Sequence, residues 1–457
     1  MVKKTLFKNV DTIVTMNLNR DEIKNGYVLV EDNVIKEVGK DGGKQFDTDL
    51  VIDCKDKIML PGFINTHHHL YQSLFRNVPP VQNAKLFDWL THLYELWKNI
   101  DSEAIYVSSI VAISEMMASG VTTTSDMLYL YPKGTKGIFD AEVAGARHTG
   151  IRFFPCRGSM SLDRDNGGLP PRKVVQTEEE ILTDSERVIK QYHDSSKYSM
   201  LRIALAPCSP FSVSEDLMIK TAKLADKYNL LIHTHLAETK DEELYCLDKV
   251  GLTPVKYMEK LGWLRNNVWF AHAVWLNTED IEKFDKNGVG ISHCPTSNMR
   301  LGSGIAPIVD MMEKSGIRIS LGVDGSASND TGNMLEEIRN TLLLQRVKYG
   351  ADVITPRDVL YFATMGGARV LKIGDYTGSI EEGKAADLIL FDMNKLEFAG
   401  GLSDPVAALV MCDNKKVDLS MINGKIIVED GELLDSSLPA FINMHNRIST
   451  RLITNNM

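Results

Sequence analysis

Cysteine is sparse and scattered in this chain: Cys54, Cys156, Cys208, Cys246, Cys294 and Cys412 form no Cys-x-x-Cys pair. That pattern excludes a disulfide scaffold and a paired-cysteine zinc site, and it leads to the expectation of a reducing, cytoplasmic setting. Positive charge is in deficit, 51 Lys+Arg against 61 Asp+Glu for a formal charge of −10. With no basic block, a nucleic acid polymer is not expected as a partner. No apolar run approaches the roughly 18 residues that would cross a membrane. The opening MVKKTLFKNVDTIVTMN has neither the apolar centre nor the small-residue cleavage site of a secretory signal. No membrane partner is expected either. The phosphate-loop patterns GxGxxG and GxxxxGK[ST] are missing, so Gly302 and Gly304 in RLGSGIAP read as a loop bordering a pocket.

What remains is an ordinary globular composition, 44 % hydrophobic and 25 % charged over 457 residues. A chain this long buries a sizeable core without a structural metal, so any metal it holds is expected to be catalytic. Residues 1–60 are short β-like runs separated by Gly, Asp and Asn turns, and the same texture returns over 366–435. The two ends are expected to pair as one small β-sandwich. Residues 436–457 read as a helical tail whose apolar positions dock on the body of the protein or on a second copy, leaving a homo-oligomer open.

Between the ends, residues 61–365 alternate short apolar runs with stretches of helical periodicity. Eight β-like runs can be counted, at 61–69, 120–127, 151–158, 201–208, 230–238, 268–275, 288–295 and 317–325. Eight such units predict an α/β fold, a (β/α)8 TIM-type barrel with its chemistry at the C-terminal strand ends. Six runs carry a polar or ionisable residue near that end: His67 and His69, Asp126, His235, His272, His293 and Asp324. A buried charge must be paired or metal-bound.

His67 and His69 lie two apart on a strand and share a face, so they can clamp one metal ion. His235 lies nearer the barrel mouth than His233, which makes His235 the ligand and His233 an interior hydrogen-bonding histidine. Asp324 follows an apolar run and precedes a glycine, so its carboxylate projects at the mouth. Three imidazoles and one carboxylate leave a position open for water, as a catalytic site requires. Glu238, three residues beyond His235, either folds back over the metal or belongs to a solvated acidic loop with Asp241, Glu242 and Glu243. Such an His₃Asp set suits Zn²⁺, with Fe²⁺ or Mn²⁺ as alternatives.

The motifs PGFINTHHH, HTHLAE, AHAVWL and GVDGSASND, in this order, resemble the deaminase branch of the amidohydrolase superfamily. The resemblance implies His67, His69, His235 and Asp324 as ligands of a single divalent metal. A single ion follows because the fourth run, LRIALAPC, lacks the lysine that bridges two metals in binuclear relatives. The resemblance also implies Glu238 and His272 as catalytic groups beside Asp324. Asp324 would take a proton from the attacking water, Glu238 would carry protons to the ring nitrogen and the leaving amine, and His272 would hydrogen-bond the oxygen. Longer segments, among them APCSPFSVS and HCPTSNMRLGSGIAP, resemble the 8-oxoguanine deaminases and their isoxanthopterin and triazine relatives, which implies a small heterocyclic substrate. Cys208 stands where deaminases of S-adenosylhomocysteine and thiomethyladenosine carry His, which implies a substrate without ribose. A catalytically silent scaffold of the same fold and a cyclic-amide hydrolase are the rival readings. Gln72, Arg157, Trp89 and Cys208 are the candidates for contact with the ring: two hydrogen-bonding forks, one stacking face and one pocket wall. Asn329 and Asp330 read as turn residues capping the following helix, and the KDEE run as a solvated face.

Overall fold

The computed structural model describes residues 3–454; the outermost two residues of the expected first domain and three of the expected tail lie outside them. The eight predicted runs are the eight strands of a closed barrel: Phe63–Asn65, Val121–Leu128, Arg152–Ser159, Ala204–Pro207, Ile232–Leu236, Val268–His272, Gly290–His293 and Arg318–Leu321. Neighbours run parallel, and the ring closes where Leu321 of the eighth strand pairs with Asn65 of the first. Most strand residues are wholly buried, because helices cover the outside and side chains fill the inside.

Local chemistry sets the helix limits. Thr177 and Glu180 form a reciprocal capping box at the start of Glu178–Tyr192. Gly288 ends Thr278–Asn287 at φ 63°, a left-handed conformation that costs a residue with a Cβ, and the chain passes directly into the seventh strand. Asn333, rather than the expected Asn329 or Asp330, caps Met334–Tyr349 through the Leu335 N–H at 2.9 Å. Asn329 is instead drawn inward, its Nδ2 donating to Val323 O at 2.6 Å and Glu337 Oε1 at 2.7 Å.

The chain ends join as expected. Lys57–Pro61 pairs antiparallel with Leu388–Asp392, and this pair is the seam of one nine-stranded sheet wrapped round its own apolar core, which includes Phe7, Val28, Ile35, Met59, Leu388 and Leu390. Arg152 of the third barrel strand reaches Asp387 with Nη2 at 3.0 Å, both side chains buried, and so ties the barrel to this sheet.

The tail is the helix Leu438–Thr454, docked on the chain's own barrel. Ser449 donates to Leu74 O at 2.6 Å and Arg451 pairs with Asp101 at 3.0 Å. Ser73 donates its hydroxyl proton to Leu70 O, so His445 Nε2–H donates to Ser73 Oγ at 3.0 Å. Burial pushes the His445 imidazolium down to about 4. Protonation therefore favours the unfolded chain between that value and the ordinary 6.5, and the stability is complete above pH 6.5 and lost as pH falls toward 4. His445→Gln is expected to remove about 2 kcal/mol of the destabilisation that wild type undergoes between pH 7.5 and 5, measured as urea unfolding at both pH values.

Candidate functional site

The sequence-predicted ligands converge at the C-terminal end of the barrel. His67 and His69 leave the first strand, and the Asp324 N–H donates back to His67 O at 3.0 Å, which fixes the first and eighth strand ends together. Asp324 Oδ1 lies 3.4 Å from both His67 Nε2 and His69 Nε2. His235 Nε2 is 3.2 Å from His69 Nε2. One nitrogen from each of His67, His69 and His235 lies within 4.8 Å of the others, and so do one nitrogen each from His67 and His272 and a carboxylate oxygen of Asp324.

The remaining ring nitrogens determine which ones face inward. His69 Nδ1–H donates to Met127 O at 2.8 Å, and His235 Nδ1–H to Cys208 O at 2.5 Å. His233, stacked on Trp269 with centroids 4.3 Å apart, donates from Nδ1 to Trp269 O, so its Nε2 accepts the His67 Nδ1 proton at 2.8 Å. All three rings are thereby held as the tautomer with an Nε2 lone pair aimed at one point. Burial lowers their basicity, His69 to about 4, so the lone pairs are free at neutral pH. His67 Nε2 is buried without a hydrogen-bond partner. An orphaned lone pair beside two others and a carboxylate fits a divalent metal, which three imidazoles and Asp324 could hold.

Asp324 is tuned from several sides. Burial opposes its ionisation, yet the neighbouring imidazoles, His67 first and then His272 and His69, hold its carboxyl well below the usual range. Its Oδ2 accepts from Ser297 Oγ at 2.6 Å and Ser328 Oγ at 3.3 Å. The backbone is left-handed at Asp324, at His272 and Ala273, and at Ala237, with φ between 51° and 72°. Non-glycine residues in that region cost about 1–3 kcal/mol each and cluster where a site demands them.

His272 Nδ1 receives Asn298 Nδ2–H at 3.0 Å, which leaves its ring proton on Nε2. That proton faces Glu238 Oε2 at 3.6 Å and Asp324 Oδ2 at 3.9 Å. Glu238 is 5 % exposed, not a solvated loop residue. Burial, followed by the charges of Asp324 and Glu242, pushes its carboxyl well above the ordinary value.

Glu242 corrects the reading of the KDEE run as a solvated face. Its carboxylate is wholly buried and accepts the N–H of Ala237 and of Glu238, each at 2.9 Å, which clamps the turn carrying Glu238. The signal was the Thr239-x-x-Glu242 spacing at a helix start; the adjacent charges concealed it. Glu242→Ala strands two buried N–H groups at roughly 1–3 kcal/mol each. A loss of about 2–6 kcal/mol in unfolding free energy is expected by urea titration.

Gln72, Trp89 and Cys208 line the same cavity as His69, His235 and Asp324, which encloses about 30 Å³. Gln72 Oε1 is buried without a partner, and Gly325 makes room for it, since a Cβ there would lie 1.9 Å away. Trp89 Nε1 donates to Ala327 O at 3.2 Å, leaving the ring face as wall. Arg157 is a correction. Its guanidinium points away from the cavity, paired to Asp184 at 2.9 Å, bonded to Gln176 and the Gly158 carbonyl, and seated 3.7 Å over the Tyr131 ring. Tyr131, Gln176 and Asp184 line a separate solvent-open cleft of about 830 Å³ that contains none of the strand-end histidines. His293 is buried with neither ring nitrogen bonded.

About 30 Å³ holds roughly two waters, well short of the roughly 300 Å³ at which ligand pockets begin. Leu86, Trp89, Phe211 and Leu301 supply apolar wall to the cavity. Among the described residues no helix is long and apolar enough to cross a membrane.

Residues 58–427 match the amidohydrolase family. An 8-oxoguanine deaminase of Pseudomonas aeruginosa PAO1 is 45 % identical over 401 residues, 88 % of this chain and 89 % of that protein. A 5′-deoxyadenosine deaminase of Methanothermobacter thermautotrophicus is 33 % identical over 418 residues, 91 % of this chain and 92 % of its own. Among solved structures, an atrazine chlorohydrolase of Arthrobacter aurescens TC1 in complex with zinc superposes with TM-score 0.92 at 30 % identity, covering 98 % of this chain and all of the other. The chain belongs to the amidohydrolase family and is a hydrolase that acts on C–N bonds.

Proposed function

We propose that this enzyme deaminates a free amino-substituted purine-like base by metal-dependent hydrolysis, converting 8-oxoguanine and water to urate and ammonia, in the cytoplasm. The observation that carries the reading is the convergence of three lone-pair imidazoles, Asp324, Glu238 and His272 on one small cavity with aromatic walls. The 45 % identity to an 8-oxoguanine deaminase supports the choice of ring, and six free cysteines suit a reducing compartment.

His67, His69, His235 and Asp324 would hold the ion, with zinc the first choice for an His₃Asp set and Fe²⁺ or Mn²⁺ the alternatives. When bound, a divalent ion makes water nucleophilic at neutral pH. The protein's own groups do the rest. Asp324 Oδ2, steadied by the Ser297 and Ser328 hydroxyls, accepts the proton of the attacking water. Glu238 Oε2 donates a proton to the ring nitrogen next to the amine-bearing carbon, then carries the next proton to the departing ammonia. His272 Nε2–H donates to the oxygen that becomes the product carbonyl. Gln72 Oε1, lacking a partner, accepts a ring N–H, while Trp89 and Cys208 form the walls. Cys208 in the cavity wall supports a substrate without sugar.

Ammonia release from 8-oxoguanine, isoxanthopterin, guanine, cytosine, hydroxyatrazine and 5′-deoxyadenosine tests the assignment. The highest kcat/KM is expected for 8-oxoguanine, and 5′-deoxyadenosine is expected to be inert. Turnover of another ring with 8-oxoguanine inert would reject the substrate while retaining the chemistry.

A further inference from the structure

At the opposite end of the barrel, where the strands begin, a second cavity of about 280 Å³ has a composition foreign to this acidic protein. Arg20, Lys314, Arg318 and Arg369 line it, and Asp358 is the sole carboxylate in its wall. Asp358 is already committed, to Arg20 at 2.6 Å and to the Thr355 hydroxyl at 2.6 Å. Among the described residues, Lys314, Arg318 and Arg369 have no carboxylate within ion-pair distance. Arg369 makes only a long contact, 3.5 Å, to the Tyr361 hydroxyl.

Arg318 opens the eighth strand and is partly buried. Its Nη2 donates to the carbonyls of Asn266 and Val268, but its Nε–H is buried with no acceptor. A desolvated guanidinium N–H without an acceptor is costly. Burial, reinforced by the neighbouring charge of Arg369, lowers the Arg318 guanidinium to about 10. Cations brought together in a recess and left unneutralised are what a bound anion would stabilise. The planar guanidinium forks favour a tetrahedral oxyanion with several acceptor oxygens.

We propose that this cavity binds a phosphate group, either inorganic phosphate or the phosphate of a small phosphorylated metabolite, through Lys314, Arg318 and Arg369. The site is separate from the catalytic cavity. Arg318 opens the eighth strand, Asp324 lies beyond the other end of it, and the two cavities share no lining residue, so the proposal does not depend on the reaction assigned above.

Thermal unfolding and isothermal calorimetry with inorganic phosphate, and separately with a nucleoside 5′-monophosphate, at ionic strength held constant with NaCl, test it. Wild type is expected to show a saturable rise in Tm and a measurable heat of binding with at least one of the two; tighter binding of the nucleotide would identify the metabolite as the source. The double variant Lys314→Gln, Arg369→Gln changes solvent-accessible side chains, and an unchanged circular dichroism spectrum and ligand-free Tm verify its fold. Its affinity is expected to fall at least tenfold. No saturable response to either ligand, a response reproduced by chloride alone, or a double variant that binds like wild type would overturn the proposal.

Discussion

Glu238→Gln protein, purified with its metal, is expected to lose roughly 10²–10⁴-fold in kcat, while KM and metal content stay near wild type. The substitution keeps the shape of the side chain and its contact with Ser303, 3.4 Å away in wild type. It also keeps the backbone clamp from Glu242. What it removes is the transferable proton. In wild type burial and the nearby Asp324 and Glu242 charges disfavour the carboxylate and so favour the protonated form. Attack on the ring carbon places negative charge on a ring nitrogen inside a dry cavity, where an anion without a proton donor is costly. An amide can hydrogen-bond that nitrogen but cannot protonate it, so the loss falls on kcat. Full activity in the Gln variant would remove Glu238 from the chemistry.

Asp324→Asn is expected to differ in kind. Here the drop in kcat should reach at least the roughly 10²–10⁴-fold that a positioned base supplies, and metal content should fall below one per chain. Oδ1 lies 3.4 Å from two ligand nitrogens, and Oδ2 is fixed by the two serine hydroxyls. One side chain thus supplies the only negative charge among the proposed ligands and the proposed proton acceptor. Its neutral isostere weakens both. Metal analysis beside steady-state kinetics separates the two variants: Glu238→Gln should retain the ion and lose turnover, whereas Asp324→Asn should lose both. Equal metal content in the two would argue that Asp324 is not a ligand.

The barrel was legible because its strands are short apolar runs ending in residues that strands otherwise avoid. His67, His69, His235, His272 and Asp324 stood out for that reason, and they meet at one strand-end face. Which histidine of His233-x-His235 faces the centre was suggested by depth alone; the hydrogen bonds from His233 to Trp269 and from His67 to His233 give it a physical basis. Arg157 shows the limit. A strand-end arginine reads the same in sequence whether its fork enters the barrel mouth or turns outward, and here Asp184 on a neighbouring helix decides it. Glu242 was obscured by the opposite problem, a buried carboxylate inside a run of surface charge. That Trp89, Phe211 and Leu301 line one cavity depends on segments that follow three different strands, which no local pattern encodes.

The most direct test of metal-dependent deamination is ammonia and urate formation from 8-oxoguanine by protein carrying one divalent ion per chain, compared with the same protein after chelation and after readdition of the ion. One ammonia per urate, lost on chelation and restored with the ion, is the predicted result. No ammonia from fully metal-loaded protein with 8-oxoguanine or any of the other five candidate substrates, or undiminished release after complete removal of the ion, would contradict it.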